Sequence, residues 1–502
     1  MDDPTNQQDA GAAPPTPAHP GTGPRHWARV DGWGMAVRSL GYLHQPTSVE
    51  EIREVFRIAR EAGKPVALRG GGRSYGDAAI GDDSIVLDVS RMNRILSWDP
   101  ATGIADTEPG VTLEILWRRI ITDGWWPAVV SGTMFTTMAG CAAMNIHGKN
   151  NYRVGTFGDQ VLDFDLMLPS GEVVTCDRTN NPDLFHAAIS GFGMLGCFTR
   201  IRLQTKKVHS GLLRVEAFDT HSIREMADEL DGRAPAADYL VGWIDCMAGG
   251  RGFGRGIVHQ ANYLREGEDP NPRNSLTEAA QDLPRRIFGF PKSMMWMLMK
   301  PFANNLGMRL INAAKYHSGR LQPQGHTYQQ SHAAFAFLLD YVPNWKFAYR
   351  PGGLIQYQGF LPHDSAVACY EEMIRMAHAA GMPPYLGVFK KHRPDPFLLT
   401  HALDGFSLAL DFRVTPRNRA ALWDLAGRLD EVVLAHGGKF YFAKDATLHS
   451  EALARFFPPG ALDRFVELKR RCDPGNVLQT NLSRRLLDAY LRERPEQNTP
   501  AG

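Results

Sequence analysis

The chain has 502 residues, enough for two or more domains, and 43% of them are hydrophobic against 22% charged, the balance of an ordinary globular protein rather than a disordered or fibrous one. Lys and Arg number 55 and Asp and Glu 54, so no global field selects nucleic acid or an acidic partner. Six cysteines, at 141, 176, 197, 246, 369 and 472, show no C-x-x-C or other metal spacing and read as reduced thiols of a cytoplasmic protein.

The first ten residues are acidic and polar, without the basic and apolar regions of a signal peptide. Residues 1–24, rich in Pro, Ala and Gly, are expected to be disordered. Ser48 with Glu51 three residues on starts a helix whose Ile52, Val55, Phe56 and Ala59 share one face. A strand follows over 65–69, within P-V-A-L-R-G-G-G-R-S-Y-G-D-A-A at 65–79. Its glycines bare the backbone, so N–H groups can point at an anion such as a pyrophosphate. A Gly-rich run alone is weak evidence, and a flexible turn explains it equally well. After a strand at 85–89, a helix over 112–123 turns Leu113, Leu116, Trp117, Ile120 and Ile121 inward. No charge occurs from Trp125 to Ile146, but Gly132, Gly140, the threonines and Asn145 argue against a membrane span. Such a small, hydroxyl-rich segment suits close wrapping around a flat, polar-edged ligand. The stretch 181–196 reads as a short helix ending in Gly191, Gly193 and Gly196, and this α+β unit ends near Lys206.

Beyond it, strands are expected at 212–218, 238–246, 255–263, 353–360, 385–391 and 406–414, and helices at 222–230, 366–380 and 418–435. Long strands with few amphipathic helices predict an antiparallel sheet covered on one face. The stretch 265–330 is the least regular. Within it, 284–302 mixes Met, Trp and Phe with Arg285, Arg286, Lys292 and Lys300. It fits either a membrane interface or mouth for a lipid-tailed substrate, or a Met-rich core plug, the commoner case.

The pieces at 65–79, 131–149 and 181–196, in this order, resemble the FAD-binding domain of the vanillyl-alcohol oxidase family. H-G-K-N at 147–150, G-G-L-I-Q-Y-Q at 352–358, V-F-K at 388–390, K-F-Y-F-A-K-D at 439–445 and C-D-P-G-N-V-L-Q-T-N at 472–481 extend the likeness, toward a subfamily acting on polyprenyl-phosphate pentoses. The resemblance implies an FAD-binding domain at 25–206 of the two-lobed type. A substrate domain would occupy 207–435, a C-terminal return to the first domain 436–490, and a tail 491–502. It also implies oxidation of a secondary alcohol of a sugar-like substrate to a ketone, with hydride passing to flavin N5. A small-molecule or lipid-linked sugar, an NAD(P)-dependent short-chain reductase partner, and a cytoplasmic location that is peripheral to the membrane follow from the same likeness. The alternatives are a soluble sugar-alcohol or aldonolactone oxidase using oxygen, and a flavin-less binding protein on the same scaffold.

By motif position, Arg69, Gly70, Gly71, Gly72, Arg73, Ser74, Tyr75 and Asp77 would cradle the FAD pyrophosphate. Ser131, Gly132, Thr133, Thr136, Gly140, Cys141, Asn145, His147 and Gly148 would line the cofactor, with Ile201 meeting the adenine side by its backbone. Many relatives carry a flavin-bonding histidine where this chain has Arg73, so the FAD is expected to be noncovalent. Lys444, in a strand-like apolar setting, would stabilise developing negative charge or move a proton, aided by Tyr75. By residue type alone, a surface lysine paired with Asp445 is the commoner case. Gln356 and Gln358 alternate with Tyr357 and so face one side, where a sugar would satisfy their amides. Lys149, Lys390, Tyr441 and Trp243 complete the expected substrate pocket. The sequence departs from the subfamily at Ala409, where a cysteine is expected, and at Ala336, where a tyrosine is. No metal site is expected.

Overall fold

In the computed structural model, residues 26–287, 289–321 and 325–492 are described. The expected tail over 1–24 lies outside them, as does most of 491–502, although Leu491 and Arg492 close a short helix, Asp488–Arg492.

The helix Val49–Ala62 begins where Ser48 accepts the Glu51 N–H, and it ends at Gly63 in the left-handed conformation. Its buried Ile52, Val55, Phe56 and Ala59 pack on a four-stranded sheet in the order His26–Asp31, Arg38–His44, Ile85–Asp88, Val66–Arg69. A five-stranded antiparallel sheet follows, in the order Ile95–Asp99, Ile104–Thr107, Cys197–Gln204, Val161–Met167, Val173–Asp177. The uncharged 125–146 stretch is mostly irregular chain around one short helix, Met138–Ala143. No helix among the described residues is long and apolar enough to cross a membrane.

The largest element is an eight-stranded sheet. Its order is Thr327–Ser331, Leu212–Thr220, Gly256–Tyr263, Tyr239–Ile244, Leu386–His392, Gly405–Arg413, Leu354–Pro362, Lys439–Phe440, and all neighbours are antiparallel. The helices Ile223–Arg233, His363–Ala379 and Arg419–Ala435 pack against this sheet. Six of its strands and these three helices match the sequence expectation within a few residues, because clean period-2 and period-3.6 patterns leave little choice, while the edge strands Thr327–Ser331 and Lys439–Phe440 were not expected.

After residue 440 the chain runs back to the glycine-rich loop. The Tyr75 N–H donates to the Ala443 carbonyl, Val66 bridges Leu478, and Arg485 is paired with both Asp77 and Asp445. The 284–302 stretch is not a core plug. Met294, Met297, Leu298 and Phe302 stand exposed, while the neighbouring Met299 packs inward with Trp345 and Trp33. Among the described residues, only one side of this short segment has a partner.

Candidate functional site

A cavity of about 600 Å³ lies between the glycine-rich loop and the uncovered face of the eight-stranded sheet, within the usual range of small-molecule sites, roughly 300–1,000 Å³. One wall is backbone and small side chains. A Cβ on Gly70 would stand 2.2 Å from the Thr137 hydroxyl oxygen, and one on Gly71 would stand 2.3 Å from the Phe135 carbonyl oxygen. The loop therefore lies directly against the 131–140 segment, and only glycine permits that approach. The main-chain N–H groups of Gly71, Gly72, Arg73 and Ser74 donate to no acceptor among the described residues. Arg69 is held by the Ala79 carbonyl at 3.1 Å, and the Arg73 guanidinium lies 4.9 Å from the Phe135 ring centre.

The opposite wall follows from strand alternation and register. Gln358 lies opposite Ala409, and Ala409 opposite Val388. Val388 lies opposite Trp243, and Val241 opposite His259. Gln356 and Asp411, Leu386 and Asp411, and Lys390 and Ser407 are likewise paired. All these side chains share one face of the sheet.

The electrostatics are lopsided. Arg69, Arg73, Lys149, Lys315, Lys390 and Lys444 line the cavity, and no lining residue is acidic. Desolvation pushes Lys149 down to about 7 and Lys315 and Lys390 down to about 8. Lys149 donates to the Phe335 carbonyl and stands over that residue's ring, and Lys315 stands 4.1 Å from the Trp243 ring centre. Burial and the nearby Lys390 keep His147 a neutral imidazole. Its Nε2 lies 3.2 Å from the Gln358 amide, and its Nδ1 has no partner among the described residues. Such a wall suits an anionic ligand.

Lys444 sits in a turn rather than a strand, its N–H donating to the Tyr441 carbonyl. Its ammonium stands 3.9 Å from the Tyr75 ring centre, inside the cavity. Asp445 is not its partner. That carboxylate takes Arg485 and the N–H groups of Thr447 and Leu448. Burial lowers the Lys444 pKa, while the Asp411 carboxylate opposes the fall. Asp411 is itself raised by burial and accepts a bond from the Gln356 amide. Burial, then Asp411, pushes the Tyr75 phenol up.

The structure gathers most of the expected residues on this cavity. These are Arg69, Gly70, Gly71, Gly72, Arg73, Ser74 and Tyr75, then Ser131, Gly132, Thr133, Thr136, Gly140, His147 and Lys149, and finally Trp243, Gln356, Gln358, Lys390, Tyr441 and Lys444. Five stand off its wall. Asp77 is the partner of Arg485. Cys141 faces the hydrophobic core. Asn145 ties the Gly158 N–H to Asp395. Gly148 abuts Asn150, and Ile201 is a central strand residue whose carbonyl accepts the Thr107 hydroxyl. The Gln356 and Gln358 amides already have protein acceptors, Asp411 and Ser407, so the pair is not stranded without a ligand. Sequence reasoning passed over Asp411, His259, His392 and Lys315. Asp411 was detectable, being two residues from Ala409 within an apolar strand and therefore on the same face. His392, bonded to Ser407 at 2.7 Å, shares the parity of Lys390. Lys315 comes from the irregular segment, which gave no signal.

Residues 41–177 match the family of the FAD binding domain. Over 469 residues the chain is 28% identical to the decaprenylphosphoryl-β-D-ribose oxidase of Mycolicibacterium smegmatis, covering 91% of this chain and 97% of that protein. It is 28% identical over 217 residues to the L-gulonolactone oxidase of Mus musculus, covering 43% of this chain and 47% of that protein. A putative D-arabinono-1,4-lactone oxidase of Neurospora crassa is 29% identical over 170 residues, 34% of this chain and 30% of that protein. The cavity fits FAD on its own evidence. Four successive unpartnered N–H groups, Arg69 and Arg73 suit a pyrophosphate, and the small-residue wall leaves room for a flat ring system.

Proposed function

We propose that this chain, an FAD-dependent oxidoreductase acting on CH–OH groups that resembles decaprenylphosphoryl-β-D-ribose oxidase over 91% of its length, oxidises a secondary alcohol of a polyprenyl-phosphate pentose to a ketone. The observation that carries this reading is the sheet wall. Lys390, Gln356 and Gln358 of the sheet line the cavity together with Lys149 from a turn and Lys315 from a helix, and no acidic residue lines it. Lysines suit a phosphate, and amides suit sugar hydroxyls. A neutral aldonolactone would leave those buried cations unanswered, and the similarity to the lactone oxidases covers less than half of the chain. We divide the chain into a two-lobed cofactor part at 25–206, completed by 436–490, and a substrate part at 207–435.

Bound FAD supplies the hydride acceptor that no side chain can provide. The chain's own residues do the rest. Gly71 to Ser74 and Arg73 hold the anionic part of the cofactor, without a covalent bond. With its lowered pKa Lys444 is available as the neutral amine, takes up the hydroxyl proton, and as the ammonium so formed stands against the oxygen that gave it up. Asp411 and Tyr75 hold Lys444 in place. Ala336 and Ala409 both line the cavity, so the missing tyrosine and cysteine leave extra room at the sugar. The ketone product would pass to an NAD(P)-dependent short-chain reductase for net epimerisation. The enzyme works peripherally, at the inner face of a membrane holding the lipid-linked sugar.

Acid precipitation of the purified protein should release yellow colour into the supernatant; colour kept in the pellet would mean a covalent link and point to His147. Incubation with a polyprenyl-phosphate pentose should yield a product lighter by two hydrogens. An unchanged lipid sugar beside an oxidised free aldonolactone would overturn the substrate assignment.

A further inference from the structure

The irregular middle of the chain forms an outer surface that the cavity chemistry does not use. Between Asp282 and Asp340 there is no acidic residue, while Arg285, Arg286, Lys292, Lys300, Arg309, Lys315 and Arg320 all fall there. The two flanking carboxylates are already engaged, Asp282 with Arg118 and Asp340 with Thr133 and the Met134 N–H. Arg285, Arg286, Lys300 and Arg309 are exposed and form no ion pair among the described residues.

Apolar side chains stand among these cations. On the helix Asn305–Arg320, Leu306 is 68% and Leu310 59% exposed, and Ile311 beside them is exposed as well. Leu306 and Leu310 are four residues apart, so they share one face. Its opposite side is held down, with Tyr316 packed on Trp243 and Ile257 of the sheet. Met297, Leu298 and Phe302 of the preceding turns are also about half exposed. An exposed apolar patch with one sign of charge and no acids matches the chemistry of an anionic lipid surface, which takes apolar side chains and attracts cations together.

The patch is continuous with the cavity. Lys315, on the same helix, lines the cavity, and so do the exposed Leu338 and Tyr341. Lys292 stands over the Tyr341 ring at 3.9 Å and joins that edge to the 284–302 stretch.

We propose that this face, centred on Leu306, Leu310, Phe302 and Leu298, docks the enzyme on an anionic bilayer and sets the cavity mouth against it. The lipid tail of a substrate then stays in apolar surroundings while its phosphate and sugar reach the lysines and amides of the sheet. The purpose assigned to docking rests on the substrate reading above. The docking itself does not, since it is tested on vesicles that contain no substrate.

The experiment is flotation of the full-length, FAD-loaded protein with phosphatidylglycerol–phosphatidylcholine vesicles and with pure phosphatidylcholine vesicles. Binding is expected on the anionic vesicles, falling as salt rises. Leu306→Glu with Leu310→Glu should weaken it by about tenfold or more, as should Arg285→Glu with Arg286→Glu. Neither pair should change the flavin spectrum. The protein alone should scatter light as the same species in wild type and variants. No binding to anionic vesicles, equal binding to both vesicle types, or binding indifferent to both variants would overturn the proposal. So would a wild-type oligomer that Leu306→Glu with Leu310→Glu dissolves, because the patch would then be covered by a second copy.

Discussion

The two walls of the cavity recognise in different ways. The 70–74 and 131–140 wall uses main-chain N–H groups and small side chains, so its specificity lies in what is absent, a Cβ at Gly70 and Gly71. The sheet wall uses long side chains, with Lys390, Gln356 and Gln358 placed by strand parity and register and Lys149 reaching in from a neighbouring turn. A backbone wall tolerates almost no substitution and serves one unchanging ligand. A side-chain wall can change one residue at a time, and so can change substrate without losing cofactor.

Substitutions that separate the walls test this contrast. Gly70→Val is expected to do the most damage, because its Cβ meets the Thr137 hydroxyl at 2.2 Å. Overpacking of this kind costs about 1–3 kcal/mol, and the purified variant should be colourless, with a lower melting temperature. A yellow, normally stable Gly70→Val protein would mean that the loop has slack.

Asp411→Asn should leave the protein yellow and act on the chemistry. The carboxylate holds the Lys444 pKa up against burial, so its removal lowers that pKa further. The limb of the pH–rate profile governed by Lys444 should move to lower pH. An unmoved limb would show that Asp411 only anchors Gln356.

Lys149→Met gives a smaller effect of unusual sign. In the ligand-free protein Lys149 titrates near 7 instead of its ordinary 10.5. Between those values the unfolded chain holds a proton that the folded chain does not. Its contribution therefore makes stability rise with pH from about 7 to 10.5 and stay level below about 7, where both states hold the proton. Lys149→Met should flatten that rise and melt higher than wild type at pH 7, while binding the phosphorylated substrate more weakly. A lower melting temperature at pH 7 would contradict the strained-cation account. Ala409→Leu, the mildest change, should raise KM for the lipid-linked sugar and leave the flavin spectrum alone.

Much of this was legible in the sequence, for identifiable reasons. The glycine run, the hydroxyl-rich segment and the Q-Y-Q alternation each carry a local geometric constraint, and the structure brings all three to one cavity. Parity in 406–414 could have exposed Asp411 as well. The cavity position of Lys444 was legible but its setting was not, because the turn is a local bond to the Tyr441 carbonyl that breaks the strand pattern and Asp445 is diverted to Arg485, forty residues away. The exposure of Met297, Leu298, Leu306 and Leu310 was illegible for the opposite reason. An aperiodic apolar segment reads the same whether or not a partner covers it.

The central claim is that the sheet wall presents a phosphate-bearing sugar alcohol to Lys444. Its most direct test is anaerobic mixing of the FAD-loaded enzyme with a polyprenyl-phosphate pentose, following the visible flavin absorbance in wild type and Lys444→Ala. The account predicts bleaching of the wild type and a rate lower by about 10²-fold or more in Lys444→Ala, which still binds FAD. Bleaching at the same rate in both proteins, or bleaching by a free aldonolactone alone, would contradict it.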